Sequence, residues 1–268
     1  MPNPTQRFSN RVADYVRYRP DYPPAVVDTL RQHCGWTGPV DIADLGSGTG
    51  LSALGFLDAG HRVYGVEPNA EMRQAAEALL SSRQNFTSID GRAEATSLAD
   101  HSVNLVIAAQ AFHWFDVAAV AAESERILRP GGYRAVLWNL RRTTGSDFLD
   151  GYEALLQRFG TDYAAVSERY ADSQALALYF GEDGHDEYRF DHAQHFDFEG
   201  LRGRLLSSSY APAPGHSQHL PMLDALQALF DATSANGKVA FEYDTRLYVS
   251  TPCRASSALQ QPGTPPLS

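Results

Sequence analysis

The sequence predicts an α/β fold built on a doubly wound, mostly parallel sheet, and three observations carry that reading. From Val40 to Asn139, apolar strand-like runs alternate with helix-like runs, the βαβα order that gives a parallel sheet covered on both faces. The 268 residues, 43% hydrophobic and 20% charged, suffice for one large domain that buries roughly three quarters of its unfolded surface. Two further strand-like runs late in the chain bring the expected sheet to seven strands.

In chain order, the first element is a helical lid over residues 8–33. Phe8, Val12, Tyr15 and Val16 share a helix face that Pro20 must interrupt, and Pro23-Pro24 starts a second helix through about His33. Five core strands follow, at Val40–Leu45, Arg62–Glu67, Asn85–Asp90, Val103–Gln110 and Tyr133–Asn139. Thr49–Ala59 reads as a helix closed by Gly60, and Asn69 caps another to about Leu80 with Glu71 in its positive first turn. From Val117 to Leu128, Val117, Val120, Ala121, Ser124 and Leu128 share one face, Asp116 is the N-cap, and Arg129-Pro-Gly-Gly ends the run.

After the core, Phe148–Phe159 and Tyr163–Phe180 read as a helical insertion. Tyr188–Phe198 and Val239–Val249 read as two late strands at the sheet edge, separated by a loop rich in Ser, Pro and Gly and a helix from about Pro221 to Thr233. Residues 1–249 are expected to form one domain. Ser250–Ser268, with four prolines and few large apolar residues, reads as a disordered tail.

Composition narrows the function classes. Lys plus Arg number 22 and Asp plus Glu 32, a net charge of −10 that opposes nucleic-acid phosphates and anionic membranes. No apolar run approaches the roughly 18 residues that span a bilayer, and Met1-Pro-Asn-Pro-Thr-Gln-Arg has no signal-peptide core. Cys34 and Cys253 make no metal or redox spacing, so the cytoplasm is the expected compartment. A histidine metal site is not expected. His192 and His195 project to opposite faces of a strand, and His216 and His219 lie in a loop without a carboxylate pair. No Gly-x-Ser-x-Gly elbow suggests a serine hydrolase.

The chemistry lies in Asp44-Leu-Gly46-Ser47-Gly48-Thr-Gly50, at the end of the first core strand. Glycines allow a sharp turn and close approach of a ligand to the backbone, at the start of a helix whose free N–H groups favour anions. A dinucleotide fingerprint would need its third glycine where Leu51 stands, one residue after Gly50. The pattern is Gly-x-Gly-x-Gly instead.

That loop, with an acid two residues before its first glycine, resembles the first motif of class I S-adenosylmethionine-dependent methyltransferases. Glu67, in Val63-Tyr-Gly-Val-Glu67-Pro68-Asn, matches the family's acid at the end of the second strand, and an ionised carboxylate can accept from both ribose hydroxyls. Asp90-Gly-Arg-Ala93-Glu94 resembles the adenine-binding turn. Leu105-Val-Ile-Ala-Ala-Gln110-Ala-Phe-His113-Trp114 resembles the fourth strand with its active-site loop, and Leu128-Arg-Pro-Gly-Gly132 the turn before the fifth. Tyr15-Val-Arg-Tyr18-Arg19-Pro-Asp-Tyr22-Pro resembles the lid of small-molecule members similar to trans-aconitate methyltransferases. The resemblance covers about residues 8–249.

It implies a Rossmann-like fold, S-adenosyl-L-methionine as cofactor, and methyl transfer to a small-molecule acceptor without nucleic acid or membrane. It assigns the methionine part of the cofactor to Asp44, Gly46, Ser47 and Gly48, the ribose to Glu67 with Pro68, and the adenine edge to Ala93 and Glu94. The backbone at Gln110 would face the sulfonium, and Tyr18 and Arg19 would close over the cofactor carboxylate. His113 is the candidate catalytic base and, with Trp114, faces the acceptor. Many relatives read Asp-Ala in the adenine turn, where this chain has Arg92 before Ala93; Glu94 and Asp90 remain alternatives for the adenine amino group. A non-catalytic cofactor-binding or regulatory protein of the same fold is the alternative. A nicotinamide oxidoreductase is disfavoured by Leu51, and a nucleic-acid methyltransferase by the absence of a basic cluster and of an Asn-Pro-Pro-Tyr loop.

Overall fold

A computed structural model describes residues 18–161, 163, 173–182, 184–208 and 210–251. The predicted first lid helix with Tyr15, much of the predicted Tyr163–Phe180 helix, and the tail beyond Thr251 lie outside these described residues.

Seven strands form one sheet in the order β3-β2-β1-β4-β5-β7-β6. They are β1 (Asp41–Leu45), β2 (Arg62–Val66), β3 (Phe86–Ile89), β4 (Val103–Ala109), β5 (Leu128–Arg141), β6 (His185–Phe196) and β7 (Val239–Ser250). Strands β1 to β5 pair in parallel, and β7 runs antiparallel to both β5 and β6. The chain starts at β1, winds outward to β3, then crosses back to β4. The switch point therefore lies between β1 and β4, where open α/β sheets bind ligands outside the C-terminal strand ends.

From Leu105 onward the period-two alternation of β4 explains the layering, with Val106 and Ala108 in one core and Leu105, Ile107 and Ala109 in the other, while Val103, ahead of the register shift, joins the first. The second core is closed by α1 (Ala25–His33) and α2 (Ala53–Asp58) through Val26, Leu30, Phe56 and Leu57. The first is closed by α4 (Val117–Ile127) and α6 (Ser173–Phe180) through Val120, Ile127, Leu176 and Tyr179. The helix α3 (Ala70–Leu79) starts where predicted, with the Asn69 side chain accepting from the N–H groups of Glu71 and Met72. Asp116 likewise caps α4, accepting from Ala119. A third core gathers α5 (Asp147–Phe159), α7 (Phe198–Leu206) and α8 (His219–Thr233) around Phe196 of β6 and Phe241 and Tyr243 of β7.

Several boundaries differ from expectation, most of them by one or two residues, and the larger shifts have identifiable causes. The helix predicted from Thr49 begins only at Ala53, because Gly50 at φ +81° keeps the chain in a turn. Strand β5 begins at Leu128 rather than Tyr133, since Leu128 pairs with Val103 before residues 129–132 bulge out and pairing resumes at Leu105 and Tyr133. Strand β6 starts three residues early, at His185, because β7 pairs with it along its whole length, and it ends at Phe196 rather than Phe198. Helix α7 was expected to be irregular. Gly200 and Gly203 lower its helix propensity, but Asp197 caps it, accepting from the Gly200 N–H, and Leu201 and Leu205 bury its inner face.

Candidate active site

The glycine loop leaves β1 and turns against the end of β2, where the Gly46 and Ser47 N–H groups both donate to Val66 O, at 2.8 and 3.2 Å. Gly46 adopts φ +66°, and a Cβ there would stand 2.7 Å from Ala111 Cβ and 3.2 Å from Phe115 Cζ. Only glycine allows that approach. The contact brings residues 110–115, the loop after β4, onto the glycine loop. Because α2 starts at Ala53, the loop's N–H groups are not the end of a long helix; that of Gly48 is spent on Glu67.

Two buried carboxylates meet here. Glu67 stands just past β2, where Oε2 accepts from Gly48 N at 3.1 Å and Oε1 from Asn69 N at 2.8 Å. Each oxygen keeps a further lone pair. Burial pushes the Glu67 carboxyl upward, opposed by the Asn69 and Gly48 N–H groups and by the charge of Arg73. Asp44, 1% exposed, accepts from Ser52 Oγ at 2.5 Å through Oδ2, while its Oδ1 has no hydrogen-bond partner among the described residues. Burial raises its carboxyl to about 7, against the Ser52 hydrogen bond and reinforced by repulsion from Glu67. An orphaned buried acceptor beside a second carboxylate suits a cationic ligand group.

Arg73 was not anticipated, yet it ties two strand ends together: one nitrogen donates to Glu67 O at 2.7 Å and another pairs with Asp90 at 2.9 Å. Pro68 is exposed and Ala93 buried. Glu94 pairs with Arg92 at 3.5 Å and accepts from Asp116 N at 3.2 Å, so both alternatives for the adenine amino group carry an arginine partner. Below that turn, Thr96 donates through N and Oγ1 to the buried Glu123, at 2.7 and 2.6 Å. Burial would raise the Glu123 carboxyl, but hydrogen bonds from Arg126 and Thr96 hold it down at about 2.

Gln110 adopts φ +58°, and its side chain donates to Asn139 O at 2.9 Å. A single 3-10 turn, Phe112–Trp114, then places His113 and Trp114 half-buried, with their rings 4.9 Å apart. The Asn139 side chain donates to Asp21 O of the lid at 2.9 Å and accepts from Thr245 Oγ1 at 2.6 Å. Sequence gave no sign of this bridge. Tyr18 packs against Gly203 of α7, and Arg19 donates to Ser207 O at 3.2 Å. The structure thus joins Asp44, Gly46, Ser47, Gly48, Glu67 and the 110–115 loop in one contact set, and attaches the described lid residues to α7 and β5. Among the described residues, no group of three or more His, Cys, Asp or Glu could hold a metal, and no helix is long and apolar enough to cross a membrane.

A methyltransferase-domain family profile matches residues 43–136, the span from β1 through most of β5. An uncharacterized methyltransferase of Mycobacterium tuberculosis is 37% identical over 134 residues, 50% of this chain and 52% of the relative. An uncharacterized methyltransferase-like protein of Schizosaccharomyces pombe is 32% identical over 171 residues, 62% of this chain and 64% of the relative. The chain spans about half the length of the first of these relatives. In three dimensions it resembles a protein of Anaeromyxobacter dehalogenans provisionally assigned as a type II methyltransferase, with TM-score 0.66 and 23% identity over 87% of this chain and 98% of that one. The fold sets the glycine loop and the paired acid together at the switch point of the sheet. Over residues 43–136 the chain is thus similar to methyltransferase domains, and in sequence it is similar to proteins described as methyltransferases.

Proposed function

We propose that this protein transfers a methyl group from S-adenosylmethionine to a small-molecule acceptor. The observation that carries the reading is the pair of buried carboxylates at the switch point, Glu67 oriented by two N–H groups and Asp44 with a free acceptor oxygen. When bound, the cofactor supplies an electrophilic sulfonium methyl, which an acceptor lone pair takes in one in-line displacement as the C–S electron pair returns to sulfur. No covalent protein intermediate is needed, so the protein contributes alignment and a water-poor site.

In this reading, Asp44 Oδ1 accepts from the cofactor ammonium and Glu67 from the ribose hydroxyls, with Pro68 beside it. Gly46, Ser47 and Gly48 flank the methionine part, Ala93 and Glu94 the adenine edge, and Gln110 the sulfonium. Arg19 and Tyr18 meet the cofactor carboxylate from the lid. His113 takes the proton of an acceptor that must lose one, and Trp114 forms a wall of the acceptor site. The packing of Ala111 and Phe115 on Gly46 supports that arrangement, because it ties this loop to the cofactor side. We take residues 1–249 as one domain, the protein as cytoplasmic, and nucleic acid as excluded by the net charge of −10.

Calorimetric titration with S-adenosylmethionine tests the reading. Wild type is expected to bind, and Glu67→Ala to bind about 100-fold more weakly, having lost two charge-assisted hydrogen bonds. No binding by wild type, or equal binding by the variant, overturns it. Release of S-adenosylhomocysteine in the presence of acceptor separates an enzyme from a cofactor-binding regulator.

A further inference from the structure

The two edges of the sheet differ. One is β3, four residues long; the other is β6, which runs twelve residues from His185 to Phe196. Its register with β7 is unbroken from His185 opposite Ser250 to Phe196 opposite Val239, and the strand contains no proline or glycine. Shortness, bulges and prolines are common devices that keep a free edge from pairing with another chain, and β6 uses none of them.

One contact fixes which backbone groups face outward. The Thr251 N–H donates to Gly184 O at 3.3 Å, and these two residues follow the opposed pair of His185 and Ser250. Bonded and non-bonded pairs alternate in an antiparallel ladder, so the even-numbered residues of β6 bond to β7. His185, Glu187, Arg189, Asp191, Ala193 and His195 therefore point their N–H and C=O groups outward, where no strand meets them among the described residues. Of these side chains only His185 is not exposed, whereas Tyr188, Phe190, His192 and Gln194 on the other face are half-buried.

The charges along this edge match those of a second copy. Two β6 strands related by a twofold axis normal to the sheet pair antiparallel, and the position of the axis sets which residues meet. With the axis at Phe190, residues 185–195 all pair. Arg189 stands opposite the partner's Asp191, and symmetry repeats that contact. Phe190 meets the partner's Phe190 in a non-hydrogen-bonded pair, where side chains approach most closely, and Tyr188 meets the partner's His192. Moving the axis by one residue sets Arg189 against the partner's Arg189, or Asp191 against the partner's Asp191, and like charges directly opposite are destabilising. An axis at Tyr188 matches Glu187 with the partner's Arg189 but pairs only residues 185–191. Arg189 and Asp191 both keep atoms for the contact: Arg189 donates to Glu187 through Nε at 2.8 Å, and Asp191 accepts from Arg142 through Oδ1.

We propose that β6 is a homodimer interface, at which two copies pair antiparallel about Phe190 and the two sheets continue into one another. The proposal is independent of the methyltransferase reading. Strands β5 and β7 lie between this interface and the candidate active site at β1 and β4.

Sedimentation equilibrium of the full chain tests it. An edge-to-edge contact is small, so a dimer with Kd on the order of micromolar is expected, with twice the chain mass predominant at about 100 µM. Ala193→Pro removes an outward N–H and leaves the β6–β7 bonds in place; it should weaken the dimer at least about tenfold. Arg189→Asp sets like charges opposite each other at two symmetric places and should weaken it about tenfold. Adding Asp191→Arg to Arg189→Asp restores opposite charges only when the axis lies at Phe190, and should return the dimer to within about threefold of wild type. A wild type that stays monomeric at that concentration, a dimer unaffected by Ala193→Pro or by Arg189→Asp, or a double variant as weak as Arg189→Asp overturns the proposal. Should circular dichroism show that Ala193→Pro fails to fold, the two charge variants decide by the same criteria.

Discussion

On the β1–β4 side of the sheet, the two site carboxylates are held by groups close in the chain: Ser52 lies 8 residues from Asp44, and Asn69 and Gly48 lie 2 and 19 from Glu67. On the β5–β7–β6 side, Arg204 reaches Tyr243 across 39 residues, Asn139 reaches Thr245 across 106, and Asn139 reaches Asp21 across 118. The first region uses backbone N–H groups and tight glycine geometry to build a polar site of one form. The second uses side chains meeting side chains over an aromatic core, a design whose shape depends on which residues the fold brings together.

Three changes put that contrast at risk. The largest effect is expected from Gly46→Ala, because the new methyl group meets Ala111 Cβ at 2.7 Å on a backbone at φ +66°. A loss of about 3 kcal/mol in urea unfolding is expected from strain plus overpacking. A silent substitution would mean that the glycine loop is not held by close approach. Next, Asn139→Ala strips the partner from Thr245 Oγ1, which is fully buried, and from Asp21 O. Its expected cost is about 2 kcal/mol, with faster amide exchange around residues 21–22. If stability and exchange are both unchanged, the long-range contacts of the second region carry no weight.

The third change is pH. Burial holds the Asp44 carboxyl at about 7 instead of 3.8, so it is protonated below that pH and ionised above it. An ammonium needs the ionised form. S-adenosylmethionine affinity should therefore fall by up to about tenfold per unit as the pH drops below 7, measured by calorimetry. The free protein responds with the opposite sign. A raised folded-state value stabilises the fold at low pH, and this contribution is lost as pH rises from about 4 through 7. Asp44→Asn should flatten both dependences, while a cofactor affinity independent of pH would detach Asp44 from the ammonium.

The readability of the sequence follows the same division. Asp116 and Asn69 announce their helices because capping is a local hydrogen bond, and the β4 alternation is visible because its two faces enter two cores. Gly46, Gly48, Asp44 and Glu67 were legible because their spacing is itself the geometry. Helix α7 was not, since two glycines argue against it locally and only Leu201 and Leu205, buried in the third core, outweigh them. Asn139 left no trace in the sequence, because its side-chain partners Asp21 and Thr245 lie 118 and 106 residues away, and Ser52 and Arg73, though near their partners in the chain, belong to no motif that marks them.

By itself, then, the sequence determined the alternating core, the switch-point loop and its two carboxylates, all of which rest on interactions within a few turns of chain. Only the tertiary structure decided that Arg204 would be buried without a counter-charge beside an unpartnered Tyr152 hydroxyl, and that Asn139 would join the lid to β5 and β7. The physical reason is that the state of a charge depends on which groups surround it, and those arrive from β7 and from the segment after α7, which meet only once the sheet has formed.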